Sequence, residues 1–318
     1  MLFLQLFLFF SGIASLYFGA EWLVKGASRF ACFLNIKPVV IGLTIVAFGT
    51  SAPELTTGII AGIKHLNDIA LGNVVGSNIA NIGLVLGITA TLFPLTVEMK
   101  LLRREIPIIL GISALLYLMC RNGTLGRLEG CFLVGGIIIY TCYIYRQSDK
   151  ESTIINEEYL VFINKKNTFV IDLLFIFIGL ATLVGGAHLL VTSAVYLARS
   201  FGVSELIIGL SVVAVGTSLP ELAISTVAAF RKEADISIGN VLGSNIFNIL
   251  VVLGITAIIH PLKINASSLR SDMPVMIIFS LLLIPMIKRK FILRRGEGIF
   301  LLFGYCLYIV FLYKKCFS

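Results

Sequence analysis

Apolar runs of membrane-crossing length, separated by short polar breaks, recur along the whole chain. An α-helix needs about 20 mainly apolar residues to cross the hydrocarbon of a bilayer. The pattern predicts ten such helices, near residues 3–28, 38–63, 69–93, 106–120, 128–145, 169–198, 206–230, 236–259, 273–287 and 297–313. The first run has no basic segment before it and no small-residue cleavage site after it. It is therefore expected to stay as a helix rather than be removed as a signal peptide. The longest polar stretch, 146–168, carries Asp149, Lys150, Glu151, Glu157, Glu158, Lys165 and Lys166 and is too short to form a domain. It reads as a linker.

Composition removes the soluble alternatives. Of the 318 residues 58% are hydrophobic and 13% charged, with a mean hydropathy of +1.00. Ordinary soluble chains are about 25% charged, so this chain has too little polar surface to cover a globule and calls for a lipid bilayer as its partner. The net charge of +8 does not point to nucleic acid, because the 25 Lys and Arg fall in short clusters with no contiguous basic face. Alternate loops differ: those after spans 1, 3, 5, 7 and 9 hold 16 Lys and Arg, the others and the C-terminal tail 8. The positive-inside bias then puts the linker in the cytoplasm and both termini outside it. The cysteines, Cys32, Cys120, Cys131, Cys142, Cys306 and Cys316, form no CxxC pair and are expected as small buried hydrophobes.

An internal repeat organises the chain. Gly49-Thr50-Ser51-Ala52-Pro53-Glu54 recurs as Gly216-Thr217-Ser218-Leu219-Pro220-Glu221, an offset of 167. Gly76-Ser77-Asn78-Ile79-Ala80-Asn81 recurs at the same offset as Gly243-Ser244-Asn245-Ile246-Phe247-Asn248, and residues 42–90 share 28 of 49 positions with 209–257. Five spans per half is an odd number, so equivalent helices cross the membrane in opposite directions. The expected fold is an all-α membrane protein of ten transmembrane helices, built as two inverted five-helix repeats with helices 2 and 7 broken. Its parts are a first repeat at 1–146, a cytoplasmic linker at 147–168 and a second repeat at 169–318. Inverted repeats with paired broken helices characterise secondary transporters, whose sites lie at the repeat interface near the midplane.

The breaks carry the chemistry. Proline removes an amide donor and clashes with the preceding turn, while glycine lets the chain leave the helix. Carbonyls freed within a membrane are tolerated where they line a polar cavity. Just past each break stands a carboxylate, Glu54 or Glu221, and an ionisable group at that depth is a functional candidate. Ser77 and Asn81, like Ser244 and Asn248, lie one helical turn apart and offer hydroxyl and amide oxygens. This all-oxygen inventory suits Ca²⁺ or alkali ions and not soft transition metals. Helix-to-helix glue would explain the small residues but not two matched glutamates.

These paired motifs resemble the α-repeats of the sodium/calcium exchangers within the calcium/cation antiporter family, and the resemblance spans nearly the whole chain. It implies that Glu54 and Glu221 ligate Ca²⁺ and Na⁺ centrally. Thr50 and Thr217 would assist through backbone carbonyls, and Ser51, Ser77, Ser218 and Ser244 through hydroxyls. Ala47 and Ala214 lie where the family lends carbonyl oxygens to peripheral Na⁺ sites. Asn81 and Asn248 occupy the position where the family shows Asp or Asn; Asp accompanies some potassium-coupled members, so two amides argue against K⁺ dependence. The implied activity is secondary antiport of Ca²⁺ for Na⁺ by alternating access across a plasma (inner) membrane. Ca²⁺ and Na⁺ are then substrates, with no resident cofactor and no obligate protein partner expected. A Ca²⁺/H⁺ antiporter on the same scaffold stays open, as does a passive cation channel. An enzyme is not expected, since HExxH, GxSxG and Walker-type motifs are missing from the sequence.

Smaller signals complete the picture. Glu21 and Lys25 stand at i, i+4 and are expected to pair. Asp68 and Asp235 are expected to cap their helices, His65 and His260 to lie at the membrane interface, and Lys288-Arg289-Lys290 to anchor topology.

Overall fold

The structure is a computed structural model that describes residues 2–34, 36–148, 168–201, 214–288 and 291–317. The proposed linker core at 149–167, the first part of span 7 at 202–213, and Arg289 and Lys290 lie outside the described residues. The first half comprises α1 (Leu2–Phe33), α2 (Pro38–Thr50), α3 (Ala52–Ile63), α4 (Asn67–Leu92), α5 (Met99–Met119) and α6 (Arg127–Ser148). The second comprises α7 (Thr168–Ser200), α8 (Ala214–Gly216), α9 (Leu219–Phe230), α10 (Ala234–Ile259), α11 (Asp272–Lys288) and α12 (Arg295–Phe317). Of the ten expected spans, eight fall on single helices, span 2 on α2 with α3, and the described part of span 7 on α8 with α9. Among the described residues, seven helices are long and apolar enough to cross a membrane unaided, and α2 with α3 qualifies as a bent pair. Helix α5 falls short because Arg103, Arg104 and Glu105 crowd its first half.

Burial separates an inner pair from an outer ring. In their most apolar stretches α4 is 72% buried and α10 83%, against 17–33% for the other qualifying helices. The ring helices turn side chains such as Phe7, Phe132, Ile139, Phe177 and Phe303 outward, as lipid contact requires. Helices α1 and α7 cross tightly enough that a Cβ on Gly19 would sit 2.7 Å from the Leu183 amide nitrogen. A Cβ on its repeat mate Gly186 would sit 2.9 Å from that of Leu16.

Short ladders clasp the halves together. Strand β1 (Leu95–Thr96) pairs antiparallel with β4 (Ile292–Leu293), and β2 (Thr124–Leu125) with β3 (Leu262–Lys263). Each ladder joins one half to the other. Lys37, just before α2, adds an ion pair to Glu98 ahead of α5, at 2.7 Å.

Three expectations need correction. Glu21 does not pair with Lys25: it accepts from Arg231 at the end of α9, while Lys25 lies 5.6 Å over the Phe175 ring. Packing of α1 against α9 offers Glu21 a guanidinium, a stronger partner than its own-helix ammonium. Asp68 and Asp235 are not caps. Left-handed residues, His65 at φ 58° and Lys232 at φ 63°, end the preceding turns early. The cap positions therefore fall on Leu66 and Glu233, and the aspartates stand in the first turns, where the positive end of the helix dipole favours them. Among the cysteines whose burial is described only Cys120 is buried; Cys32 is intermediate, Cys131, Cys142 and Cys306 are exposed, and the Cys316 side chain lies outside those described. Apolar thiols suit lipid as well as protein, so an apolar run does not decide between them.

Candidate functional site

Both breaks form where the sequence places them. Helices α2 and α3 meet at 46° about Ser51, whose φ −83° and ψ 10° leave the helical range. Pro53 follows in the first turn of α3, and Glu54 completes that turn. The second break repeats this geometry at Ser218, φ −87° and ψ 2°, with Pro220 and Glu221 in the first turn of α9. Proline at the first positions of a helix costs nothing, because those amides have no intrahelical acceptor. The same unpaired amides and the helix dipole favour a carboxylate there.

The two carboxylates are 1% and 0% exposed, and the half-to-half packing surrounds them with hydroxyls and amides. Ser77 Oγ donates to Glu54 Oε1 at 3.4 Å, and Ser51 Oγ reaches across to Glu221 Oε1 at 3.2 Å. Thr50 Oγ1 lies 3.1 Å from Asn240 Oδ1 and 3.3 Å from Ser244 Oγ. Asn73 Nδ2 donates to the Glu54 carbonyl at 3.1 Å, and its repeat mate Asn240 donates to the Glu221 carbonyl at 3.3 Å. These amides hold the backbone just past each break.

A second cluster sits on α4 and α10. Asn81 Nδ2 donates to Asn245 Oδ1 at 3.0 Å, and Asn248 Nδ2 to Asn78 Oδ1 at 3.1 Å. Asn78 and Asn245 also exchange side-chain-to-carbonyl bonds. Asn81 and Asn248 each open a π-helical turn, Asn81–Leu86 and Asn248–Leu253. Such wide turns interrupt the regular bonding ladder and gather at functional sites.

What these bonds leave over defines the chemistry. Glu54 Oε2, Glu221 Oε2, Asn81 Oδ1, Asn248 Oδ1 and Ser218 Oγ are all buried without a hydrogen-bond partner. Buried acceptors without donors are costly, and a cation satisfies several at once. Other buried carboxylates have protein partners: Glu105 accepts from Tyr140 Oη at 2.8 Å, and Asp172 Oδ1, though without a hydrogen bond, faces the Arg29 guanidinium at 3.9 Å. Of the remaining candidates, Thr217 is half-buried with no side-chain hydrogen bond among the described residues. The Ala47 carbonyl already accepts from Ser51 N at 3.1 Å and Thr50 Oγ1 at 3.2 Å, so the Thr50 hydroxyl must turn away before that oxygen takes a third partner. Ala214 opens α8 at the edge of the described residues.

Sequence reasoning passed over Asn73, Asn240, Asn78 and Asn245 as structural members of this site. All four had a readable signal, being identical residues at the repeat offset, and Asn78 and Asn245 stand in the repeated motif itself. The exchange between Asn78 and Asn245 depends on which faces of α4 and α10 meet, which no local spacing reveals.

Sequence and fold both match known proteins. The profile of the family described as sodium/calcium exchanger protein matches residues 4–147 and again 171–314, two segments related by the internal offset of 167. The putative antiporter CaxA of Alkalimonas amylolytica is 39% identical over 310 residues, covering 96% of this chain and 97% of that protein. The sodium/calcium exchanger MaX1 of Methanosarcina acetivorans is 33% identical over 337 residues, 95% and 96% of the two chains. A structure of the sodium-calcium exchanger NCX_Mj soaked with zero Na⁺ and Ca²⁺ superposes with a TM-score of 0.86 at 33% identity, covering 98% of this chain and all of that one. The chain belongs to the sodium/calcium exchanger family.

Proposed function

We propose that Glu54 and Glu221 are the central ligands through which this multi-pass membrane protein exchanges Ca²⁺ for Na⁺ by alternating access. The observation that carries the assignment is the set of buried orphan oxygens, one on each glutamate and one on Ser218 at the breaks, with others on Asn81 and Asn248 of α4 and α10. Ser51, Ser77 and Ser244 complete the set with hydroxyls. Thr50 and Thr217 contribute from the breaks, and the carbonyls of Ala47 and Ala214 flank it for Na⁺. Two carboxylates supply about −2, which one Ca²⁺ neutralises as well as a pair of Na⁺ does. Competition for the same pair couples the two fluxes, because the empty, doubly charged site resists passage through low dielectric.

The division into repeats at 1–146 and 169–318, joined by a cytoplasmic linker at 147–168, is part of the same reading. Both termini then lie outside the cytoplasm. The Lys and Arg bias among the loops supports this orientation.

The test is ⁴⁵Ca²⁺ uptake into proteoliposomes under imposed Na⁺, K⁺ or pH gradients. Uptake driven by an outward Na⁺ gradient is expected, unchanged by K⁺. Uptake that follows only the pH gradient would move the assignment to Ca²⁺/H⁺ exchange, and uptake needing no counter-gradient would make the protein a channel.

A further inference from the structure

The two halves also meet at a pair of imidazoles beyond the C-terminal ends of α3 and α10. His65 stands in the turn between α3 and α4, and His260 follows the last residue of α10. Their ring centroids are 4.0 Å apart with planes tilted by 58°. His65 is exposed and His260 intermediate, and no hydrogen bond from a described residue holds either ring. Each ring therefore keeps a nitrogen lone pair open to the water side, on two side chains that packing has already brought together.

Such a pair has its own ligand chemistry. Imidazole is a borderline-soft donor favoured by Zn²⁺, Ni²⁺ and Cu²⁺, whereas Ca²⁺ and Na⁺ prefer oxygen. Two imidazoles on one tetrahedral Zn²⁺, with nitrogens at about 2.0–2.1 Å, hold ring centroids roughly 5 Å apart. The observed spacing is reached from there by a small rotation of rings that nothing else restrains, and water fills the other coordination positions. The internal repeat supplies a control: the positions equivalent to His65 and His260 are Lys232 and Phe93, neither of them an imidazole, so only one face of the protein has the pair.

Its placement bears on exchange. Helix α3 bears Glu54 in its first turn and ends at Ile63, two residues before His65, while α10 bears Ser244 and Asn248 and ends beside His260. The two helices pack closely, with a Cβ on Gly58 reaching 2.8 Å from Thr256 Oγ1. A bond from His65 to His260 through a shared ion would fix the outer ends of two helices that supply ligands from opposite halves.

We propose that His65 and His260 form a second cation site, for a borderline first-row divalent ion such as Zn²⁺, whose occupation ties α3 to α10 and arrests exchange. Its inhibitory arm rests on the antiport reading, and its binding arm does not.

The experiment titrates Zn²⁺ against the full-length protein, with melting followed at saturating Ca²⁺ and uptake followed over a range of Ca²⁺. It reads the melting temperature and, in proteoliposomes, Na⁺-driven ⁴⁵Ca²⁺ uptake. A ligand that binds only the folded protein raises its Tm. Zn²⁺ is expected to raise the Tm and to lower the maximal uptake rate without raising the KM for Ca²⁺. H65Q and H260Q should each weaken both responses at least about tenfold, the least that losing even an outer-shell partner costs a metal site. H260F keeps a ring against His65 but has no nitrogen to ligate, so it should behave like H260Q while folding as the parent does. The proposal is overturned if the Tm of the parent does not respond, or if any of the three variants responds like the parent. A rise in the KM for Ca²⁺ would also overturn it, by placing Zn²⁺ among the glutamate oxygens. A parent whose Tm rises while its uptake is untouched would refute the arrest.

Discussion

Asn78 and Asn245 hold each other across the molecule: each side-chain amide donates to the other's backbone carbonyl, at 3.2 and 3.4 Å. Their side-chain oxygens at the same time accept from Asn248 and Asn81. Four repeat-related asparagines thus form one network on the two most buried helices. The network orients the Asn81 and Asn248 side chains, whose amide oxygens are left without partners. Each amide spends its donors on the opposite half and keeps an acceptor for the site.

Removing a member should therefore cost stability as well as function. Asn78→Ala strands the buried Asn248 side-chain amide and leaves the Asn245 backbone carbonyl without its side-chain donor, at about 1–3 kcal/mol apiece. A fall in Tm of the purified protein is expected for Asn78→Ala and Asn245→Ala. A Tm equal to that of the parent would show the network to be dispensable.

Substituting either central glutamate should stop exchange without unfolding the protein. In Glu54→Gln or Glu221→Gln a divalent ion loses half its compensating charge. Uncompensated buried charge costs about 3–5 kcal/mol, at least about a hundredfold in affinity. Loss of Na⁺-driven ⁴⁵Ca²⁺ uptake with unchanged gel-filtration behaviour is the expected result; normal uptake by either variant would sink the site.

Close approach of α2 to α10 makes Gly243 sensitive. A Cβ there would lie 2.6 Å from the Leu43 carbonyl oxygen and 2.7 Å from its Cα, both backbone atoms that cannot turn aside. Gly243→Ala is expected to destabilise the protein by about 1–3 kcal/mol. Gly135→Ala, where nothing described lies within 4 Å of the new methyl group, should be neutral or slightly stabilising. Thermal melting of the two variants in parallel compares them directly.

Orientation can be read by labelling. Single cysteines at Ser148 and Ser318, in a background cleared of the native cysteines, should react from opposite sides of the membrane. Ser318→Cys is expected to label in intact cells and Ser148→Cys only after permeabilisation. The reverse pattern would invert the topology.

Charge bookkeeping at the site predicts electrogenic exchange. The hydroxyls of Ser51, Ser77, Ser218 and Ser244 are neutral, so Na⁺ held there adds positive charge beyond what the carboxylates cancel. With more than about two Na⁺ leaving per Ca²⁺ taken up, net positive charge moves outward from a Na⁺-loaded vesicle. An inside-positive potential should then accelerate Ca²⁺ uptake. Uptake indifferent to a valinomycin-clamped potential would mean electroneutral exchange.

Much of this architecture was legible because its determinants are local. Gly49 with Pro53 and Gly216 with Pro220 each set a glycine and a proline four residues apart in an apolar run, and the shared offset pairs the breaks without any structure. Glu54 and Glu221 stand out because an ionisable side chain between apolar residues has few innocent explanations. The Arg231 partner of Glu21 was not legible, since the i, i+4 rule sees one helix and the actual contact joins α1 to α9. The π-turns at Asn81 and Asn248 were equally hidden, because a single extra residue in a turn leaves no mark on hydrophobic spacing.

The strand ladders carry a consequence for biosynthesis. Leu95 meets Leu293, and Leu125 meets Leu262, so each early strand must wait for a partner made much later. At about 5–20 residues per second the ribosome needs roughly 10–40 s to travel from Leu95 to Leu293. Throughout that interval the first repeat stands in the membrane with its ladder edges open and the Asn78 amide unmatched. Nascent chains in this condition are the natural clients of insertion chaperones and quality-control proteases. The vulnerable period ends only when the last helix arrives.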